Sequence, residues 1–193
     1  FKLTYNANGG SGAPSQETRE YNSIKPLSST KPTRPDYNFL GWAYSEDAEG
    51  PAYQAGDNFI MPSYNVTLYA VWAEATKYTF TLIYNANGGS GAVPSTQSYT
   101  STTEQTHEFI VGTLVPTREG YTFDGWNFNK EAANGMYHGG ESVSVAVGTF
   151  TFYAIWIVNK YELTYHANGG SGAPEKETRN YNSTSPLSSS NFF

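Results

Sequence analysis

The stretch "YNANGGSGA" occupies residues 5–13, returns letter for letter at residues 84–92, and appears once more as "YHANGGSGA" at residues 165–173. Repetition at a near-constant interval constrains a fold more tightly than composition does, because each copy is one structural unit. The likeness runs well past the glycines. "KLTYNANGGSGAPSQETREYNS" (2–23) matches "TLIYNANGGSGAVPSTQSYTS" (81–101) and, more closely, "ELTYHANGGSGAPEKETRNYNS" (162–183). "KPTRPDYNFLGW" (31–42) pairs with "VPTREGYTFDGW" (115–126), and "VTLYAVW" (66–72) with "FTFYAIW" (150–156). Between the two tryptophans of each unit the copies align without a gap. The extra residues of the second copy fall in "TSTTEQTHEFI", a polar insert of the kind a surface loop tolerates.

The repeat divides the chain into modules at residues 1–76 and 77–158, followed by a truncated third repeat at 159–193 that carries only the first hairpin. The third stretch never reaches a glycine-tryptophan pair or a YAxW strand, so only two units are expected to close complete cores.

Alternation decides the secondary structure. Leu3 and Tyr5 share a face with Phe1, and Phe80, Leu82 and Tyr84 share one with Tyr78; a period of two means strand. The tracts "YNFLGW", "YTFDGW", "VTLYAVW" and "FTFYAIW" read as further strands, with "SQETREY" and "TQSYTS" as returning strands. Proline in "PLSSTKPTRPDY" limits any helix there to one turn. Abundant Thr, Ser, Gly and Asn support a β-rich class with little helix.

Within each unit the tryptophans Trp42 and Trp72, or Trp126 and Trp156, are expected as core anchors, joined by Tyr5, Tyr84 and Tyr165. A small domain buries a modest share of its surface and depends on such large side chains. The other role for these indoles is a stacking platform for sugars, and core packing is the simpler of the two. The glycines of the loop, Gly9, Gly10, Gly88, Gly89, Gly169 and Gly170, are expected in hairpin turns, where Asn and Gly accept positive φ.

The loop fits no catalytic motif. It lacks the lysine of a phosphate-binding P-loop and is soon followed by Pro14, Pro94 or Pro174. Ser11, Ser90 and Ser171 imitate a nucleophile elbow, but His107, His138 and His166 occupy non-equivalent places in the repeat, so no triad recurs with them. The loop has no carboxylate to hold calcium, and the acidic "YSEDAEG" (44–50) reads as a solvated loop. No enzyme activity, cofactor or metal is expected. The chain has 193 residues, no cysteine and a net charge of −6, which rules out disulfides and argues against nucleic acid as a partner. No apolar run is long enough to insert in a membrane. No lysine recurs at one strand position in both full units, so no isopeptide cross-link is expected.

With "LTYNANGGSGAP…PTRxxYxFxGW…LYAxW" assembled, the chain resembles the Listeria–Bacteroides repeat family, the B-repeats of internalin-type surface proteins. The resemblance implies tandem small β-grasp-like (ubiquitin- or SUMO-like) modules on the bacterial cell surface, extracellular and without catalytic residues. Its units are somewhat longer than the usual repeat. The expected function is a structural stalk or spacer and assembly repeat whose partners are neighbouring repeats or copies of itself, head-to-tail. Short junctions, "WAEATKYTF" and "WIVNKYEL", favour that role. The alternative is an adhesin module that recognises a host glycan or protein through exposed tyrosines and edge strands. A cluster of Tyr44, Tyr53 and Tyr64 would favour it, although Tyr64 becomes Gly148 in the second unit. The last segment is expected either to cap the second module through Tyr161, Leu163 and Tyr165 or to be completed by a neighbouring chain.

Overall fold

A computed structural model describes residues 1–188; the last five residues of the expected third repeat, 189–193, lie outside them. The described residues form strands and turns with no helix. The chain divides into two units, Phe1–Lys77 and Tyr78–Phe193.

The first unit contains β1 (Lys2–Asn6), β2 (Glu17–Thr18), β3 (Ile24–Pro26), β4 (Tyr37–Ala43), β5 (Asn58–Ile60) and β6 (Val66–Glu74). Four of them make a sheet in the order β2-β1-β6-β4. Its central pair is parallel, with Leu3 opposite Val66 and Asn6 opposite Tyr69. The outer strands β2 and β4 run antiparallel to their neighbours. The second unit repeats this with β7 (Tyr78–Asn85), β8 (Gln97–Ser101), β9 (Thr106–Ile110), β10 (Tyr121–Asn127), β11 (Ser142–Ala146) and β12 (Gly148–Val158), in the order β10-β12-β7-β8. It also carries β13 (Lys160–Leu163) and β14 (Glu177–Asn180), an antiparallel pair from the third repeat.

One face of each four-stranded sheet is closed by a two-stranded ribbon, β3 with β5 or β9 with β11. Leu3, Trp42, Phe59, Met61, Leu68 and Ala70 are sealed between sheet and ribbon in the first unit. Phe80, Leu82, Trp126, Val143, Phe152 and Ala154 take those places in the second. The register of β4 against β6 slips between Phe39 and Gly41, and β10 slips likewise between Phe123 and Gly125. A bulge inserts one residue and so breaks the alternation of faces. It lets Phe39 and Trp42 meet, ring centroids 5.1 Å apart, where an unbroken strand would point them to opposite sides.

The ribbon strands are an addition to the sequence reading. The insert expected as a surface loop is a correction: its last residues, Thr106–Ile110, form β9, because Phe109 is buried against the core while Glu108 and Ile110 on either side face solvent.

Candidate functional site: the glycine loop, the polar hub and the exposed tyrosines

In all three copies the loop begins with the same turn. Gly10, Gly89 and Gly170 donate their amides to Ala7, Ala86 and Ala167 at 3.0, 2.9 and 3.0 Å. Asn8, Asn87 and Asn168 each hold a φ of 47°, and Gly9, Gly88 and Gly169 follow at 85°, 81° and 96°. Two successive left-handed residues are what an Asn-Gly turn of the primed type requires.

In the complete units this turn is clasped from several sides. Asn8 Nδ2 donates to the carbonyls of Ala70 on β6 and Glu46, at 3.0 and 2.8 Å. Asn87 does the same with Ala154 and Lys130. Trp72 Nε1 donates to the carbonyls of Ala7 and Asn8, both at 3.0 Å, and Trp156 Nε1 does so to Ala86 and Asn87 at 3.1 Å. Arg34 lies over the ring of Tyr37 at 3.8 Å and beside Gly9, and Arg118 lies over Tyr121 at 4.0 Å and beside Gly88. After the turn the chain does not run straight back along β1. Ser11 exchanges backbone hydrogen bonds with Thr33, and Ser90 with Thr117. The loop thus ties three distant parts of a unit together. No tryptophan follows the third copy in the sequence, and a Cβ on Gly169 would meet nothing within 4 Å.

The tryptophans divide into two kinds. Trp42 and Trp126 are wholly buried, and neither Nε1 has a hydrogen-bond partner. Trp72 and Trp156 are half-buried and act on the loop through their N–H. Tyr5 and Tyr84 are buried, whereas Tyr165 is half-buried.

Tyr5 belongs to a polar hub that the sequence reading missed. Arg19, only 3% exposed, bonds the Glu17 carboxylate at 2.9 Å and the carbonyls of Lys25 and Pro26 at 3.0 and 2.7 Å. Tyr5 Oη donates to Glu17 at 2.9 Å and accepts the Ser28 amide at 3.0 Å. Burial pushes the Tyr5 hydroxyl up to about 12. Burial also pushes the Glu17 carboxyl up, but the hydrogen bonds from Arg19 and Tyr5 outweigh it and leave the group below its ordinary value. The third repeat rebuilds this hub: Tyr165 bonds Glu177, and Arg179 bonds Glu177 and the carbonyls of Ser185 and Pro186. The second unit does not. Gln97 replaces Glu17 and donates to Ile110 O, while Tyr99 stacks on His107 with centroids 3.8 Å apart.

The candidate nucleophiles are engaged in the loop. Ser11 Oγ lies 3.4 Å from Thr33 Oγ1 and Ser90 Oγ 3.4 Å from Thr117 Oγ1. His107 contacts Glu104, and His138 contacts the Asp124 carbonyl. Among the described residues no group of three or more His, Asp or Glu could hold a metal ion.

Two tyrosine surfaces remain. On the first unit, Tyr44 and Tyr53 meet edge to face with their hydroxyls 3.0 Å apart, and Tyr44 is exposed. Burial and the Tyr53 hydroxyl raise Tyr44 to about 12, and Tyr64 is near enough to add to the shift. On the second unit, Tyr181 of the third repeat sits on the turn before β10. Its amide donates to Asn159 O at 2.8 Å, and Asn159 N in turn donates to Gly120 O at 2.9 Å. Its hydroxyl donates to Glu119 at 2.9 Å, and its ring lies edge-on to Tyr121. A Cβ on Gly120 would fall 1.9 Å from the Tyr181 ring. The contact therefore runs through Tyr181, and the expectation of Tyr161, Leu163 and Tyr165 as the capping residues is corrected: these belong to the first strand of the pair and its continuation, while the ring that reaches β10 leaves the end of the second.

The family model of the Listeria-Bacteroides repeat domain matches residues 1–71 and again residues 80–155. One relative, a "Putative Gly-rich membrane protein" of Evansella cellulosilytica, is 33% identical over 142 residues, which cover 73% of this chain and 15% of that protein. Another from the same organism, a "Putative membrane protein", is 29% identical over 168 residues, 85% of this chain and 23% of that protein. The chain spans less than a quarter of the length of either relative. No solved structure matches it.

Proposed function

Because the chain belongs to the Listeria-Bacteroides repeat family, we propose that it is a structural spacer and assembly repeat of a bacterial surface protein, without enzymatic activity. The observation that carries this reading is the seat of Tyr181 on the turn before β10, where one repeat grips the next through a backbone bond, a hydroxyl–carboxylate bond and a ring packed on glycine. Each unit closes its own core, and repeats of that kind add stability by nearest-neighbour contact. The sheet order with a parallel central pair supports a β-grasp-like module in which a strand ribbon stands where a helix would cross. Relatives named as membrane proteins accord with an extracellular, surface-attached setting.

The Tyr44–Tyr53 pair favours a second reading, an adhesin module for a neutral glycan, since edge-to-face rings with paired hydroxyls offer both an apolar ring face and hydrogen-bonding groups to a sugar. Glycan-array binding separates the two. A spacer binds nothing on the array; an adhesin binds, and loses binding when Tyr44 and Tyr64 are changed to alanine.

A further inference from the structure

The seat of Tyr181 has an unused counterpart on the first unit. Tyr21 follows Arg19-Glu20 as Tyr181 follows Arg179-Asn180. Each is succeeded by an asparagine in the left-handed region, Asn22 at 60° and Asn182 at 55°, and each turn closes with a serine amide on the carbonyl three residues back, Ser23 on Glu20 at 3.2 Å and Ser183 on Asn180 at 3.1 Å. The neighbouring backbone matches too. Phe1 is bonded across to Arg19 as Tyr161 is paired with Arg179, so Phe1 holds the strand position from which Tyr161 meets Tyr181. Yet Tyr21 is 66% exposed and Phe1 45% exposed. A large ring left in water on a fixed turn, with a second exposed ring at the head of β1, marks an interaction surface.

We propose that Phe1 and Tyr21 are a docking knob for another repeat, and that the partner surface is a turn of the Arg-Glu-Gly-Tyr type found at residues 118–121. The inference rests on the spacer reading and adds the chemistry by which repeats recognise each other. The knob brings a free backbone amide, a phenol and two rings. The turn brings a carbonyl one strand away, a carboxylate for the phenol, a tyrosine face, and a glycine whose missing side chain is the seat. The residue at that turn is selective: the first unit has Asp36 in the same left-handed conformation, φ 64° against 74° for Gly120, with its carboxylate bonded to Lys77 at 2.9 Å. An Asp turn leaves no room for a ring at the place where Gly120 receives one, so the knob pairs with Gly turns and not with Asp turns.

The test joins a second copy of residues 78–160 directly before Phe1 of the full chain and follows amide hydrogen exchange at Tyr21 and Tyr181. The Tyr21 amide is expected to slow by at least about tenfold on joining, to the protection expected of the Tyr181 amide from its bond to Asn159. Gly120→Asp in the added copy alone is expected to restore fast exchange at Tyr21. That variant folds, because Asp36 shows the backbone accepting Asp there. The same slowing in the unextended chain as its concentration rises would identify a second copy as the partner and support the same chemistry. Tyr21 exchanging freely in the joined protein while Tyr181 stays protected would overturn the knob and leave the spacer reading standing. Free exchange at both would overturn the two together.

Discussion

Gly10 lies directly under the indole of Trp72: a Cβ built on it would stand 2.6 Å from Trp72 Cζ2 and 2.6 Å from the Thr33 carbonyl. Gly89 has the same relation to Trp156, at 2.4 Å. Overpacking of this kind costs about 1–3 kcal/mol. Gly10→Ala and Gly89→Ala should each lower the urea midpoint accordingly. Gly12→Asn should change little, since Gly12 has a left-handed φ of 74° that asparagine tolerates and open space around it. Equal losses in all three variants would refute the role given to the indoles.

Arg19 should be the costliest charged residue to lose in the first unit. Arg19→Ala leaves the Glu17 carboxylate and two carbonyls short of a donor, at a cost of about 2–3 kcal/mol once the partial exposure of Glu17 is allowed for. Denaturant unfolding measures it, and the comparison is Arg179→Ala, whose more exposed site should show a smaller loss.

The hub also sets two pH dependences of opposite sign. The Tyr5 hydroxyl is raised, so its contribution to stability is complete below pH 10 and is lost as pH climbs toward about 12. The Glu17 carboxyl is depressed, so its contribution is present above the ordinary carboxylate range and is lost as pH falls through the lowered value. Urea midpoints across pH should fall off at both ends. Tyr5→Phe should flatten the alkaline limb and also weaken the acid limb, because the Tyr5 hydroxyl donates one of the two hydrogen bonds that hold the Glu17 carboxyl down.

Fluorescence should separate the four tryptophans into two pairs. Trp42 and Trp126 are sealed in the cores, while Trp72 and Trp156 keep an edge toward solvent. Acrylamide should quench about half of the native emission readily and the rest only on unfolding, since sealed cores exclude a polar quencher. Uniform quenching of all four would contradict the packing.

Much of the sheet was legible because its strands carry the strongest alternation: Leu68, Ala70 and Trp72 on one face of β6, Phe152, Ala154 and Trp156 on one face of β12. The Asn-Gly turn was legible for a different reason, namely that few residues accept two left-handed conformations in a row. The ribbons escaped notice. At three residues, β3 and β5 are too short to show a period, and β3 ends on a proline that argued against regular structure. The Arg19 hub escaped because charge reads as solvent-facing until the partners that bury it are known, and those partners are backbone carbonyls with no sequence signature. The glycine loop's clasp was hidden for the same reason: Asn8 and Trp72 act on carbonyls 62 and 65 residues away.

The parallel pairing of the first and last long strands has a mechanical consequence. In each complete repeat, residues 1–76 and 77–158, the chain enters at the start of one central strand and runs out at the far end of its parallel neighbour, so a pull on the two ends of the repeat slides the strands past each other. In that shear geometry every inter-strand bond is loaded at once, whereas an antiparallel hairpin pulled at its open end unzips bond by bond. The paired register runs over four residue pairs between β1 and β6 and six between β7 and β12. Under tension the first unit is therefore the one to yield, and the second the one that holds.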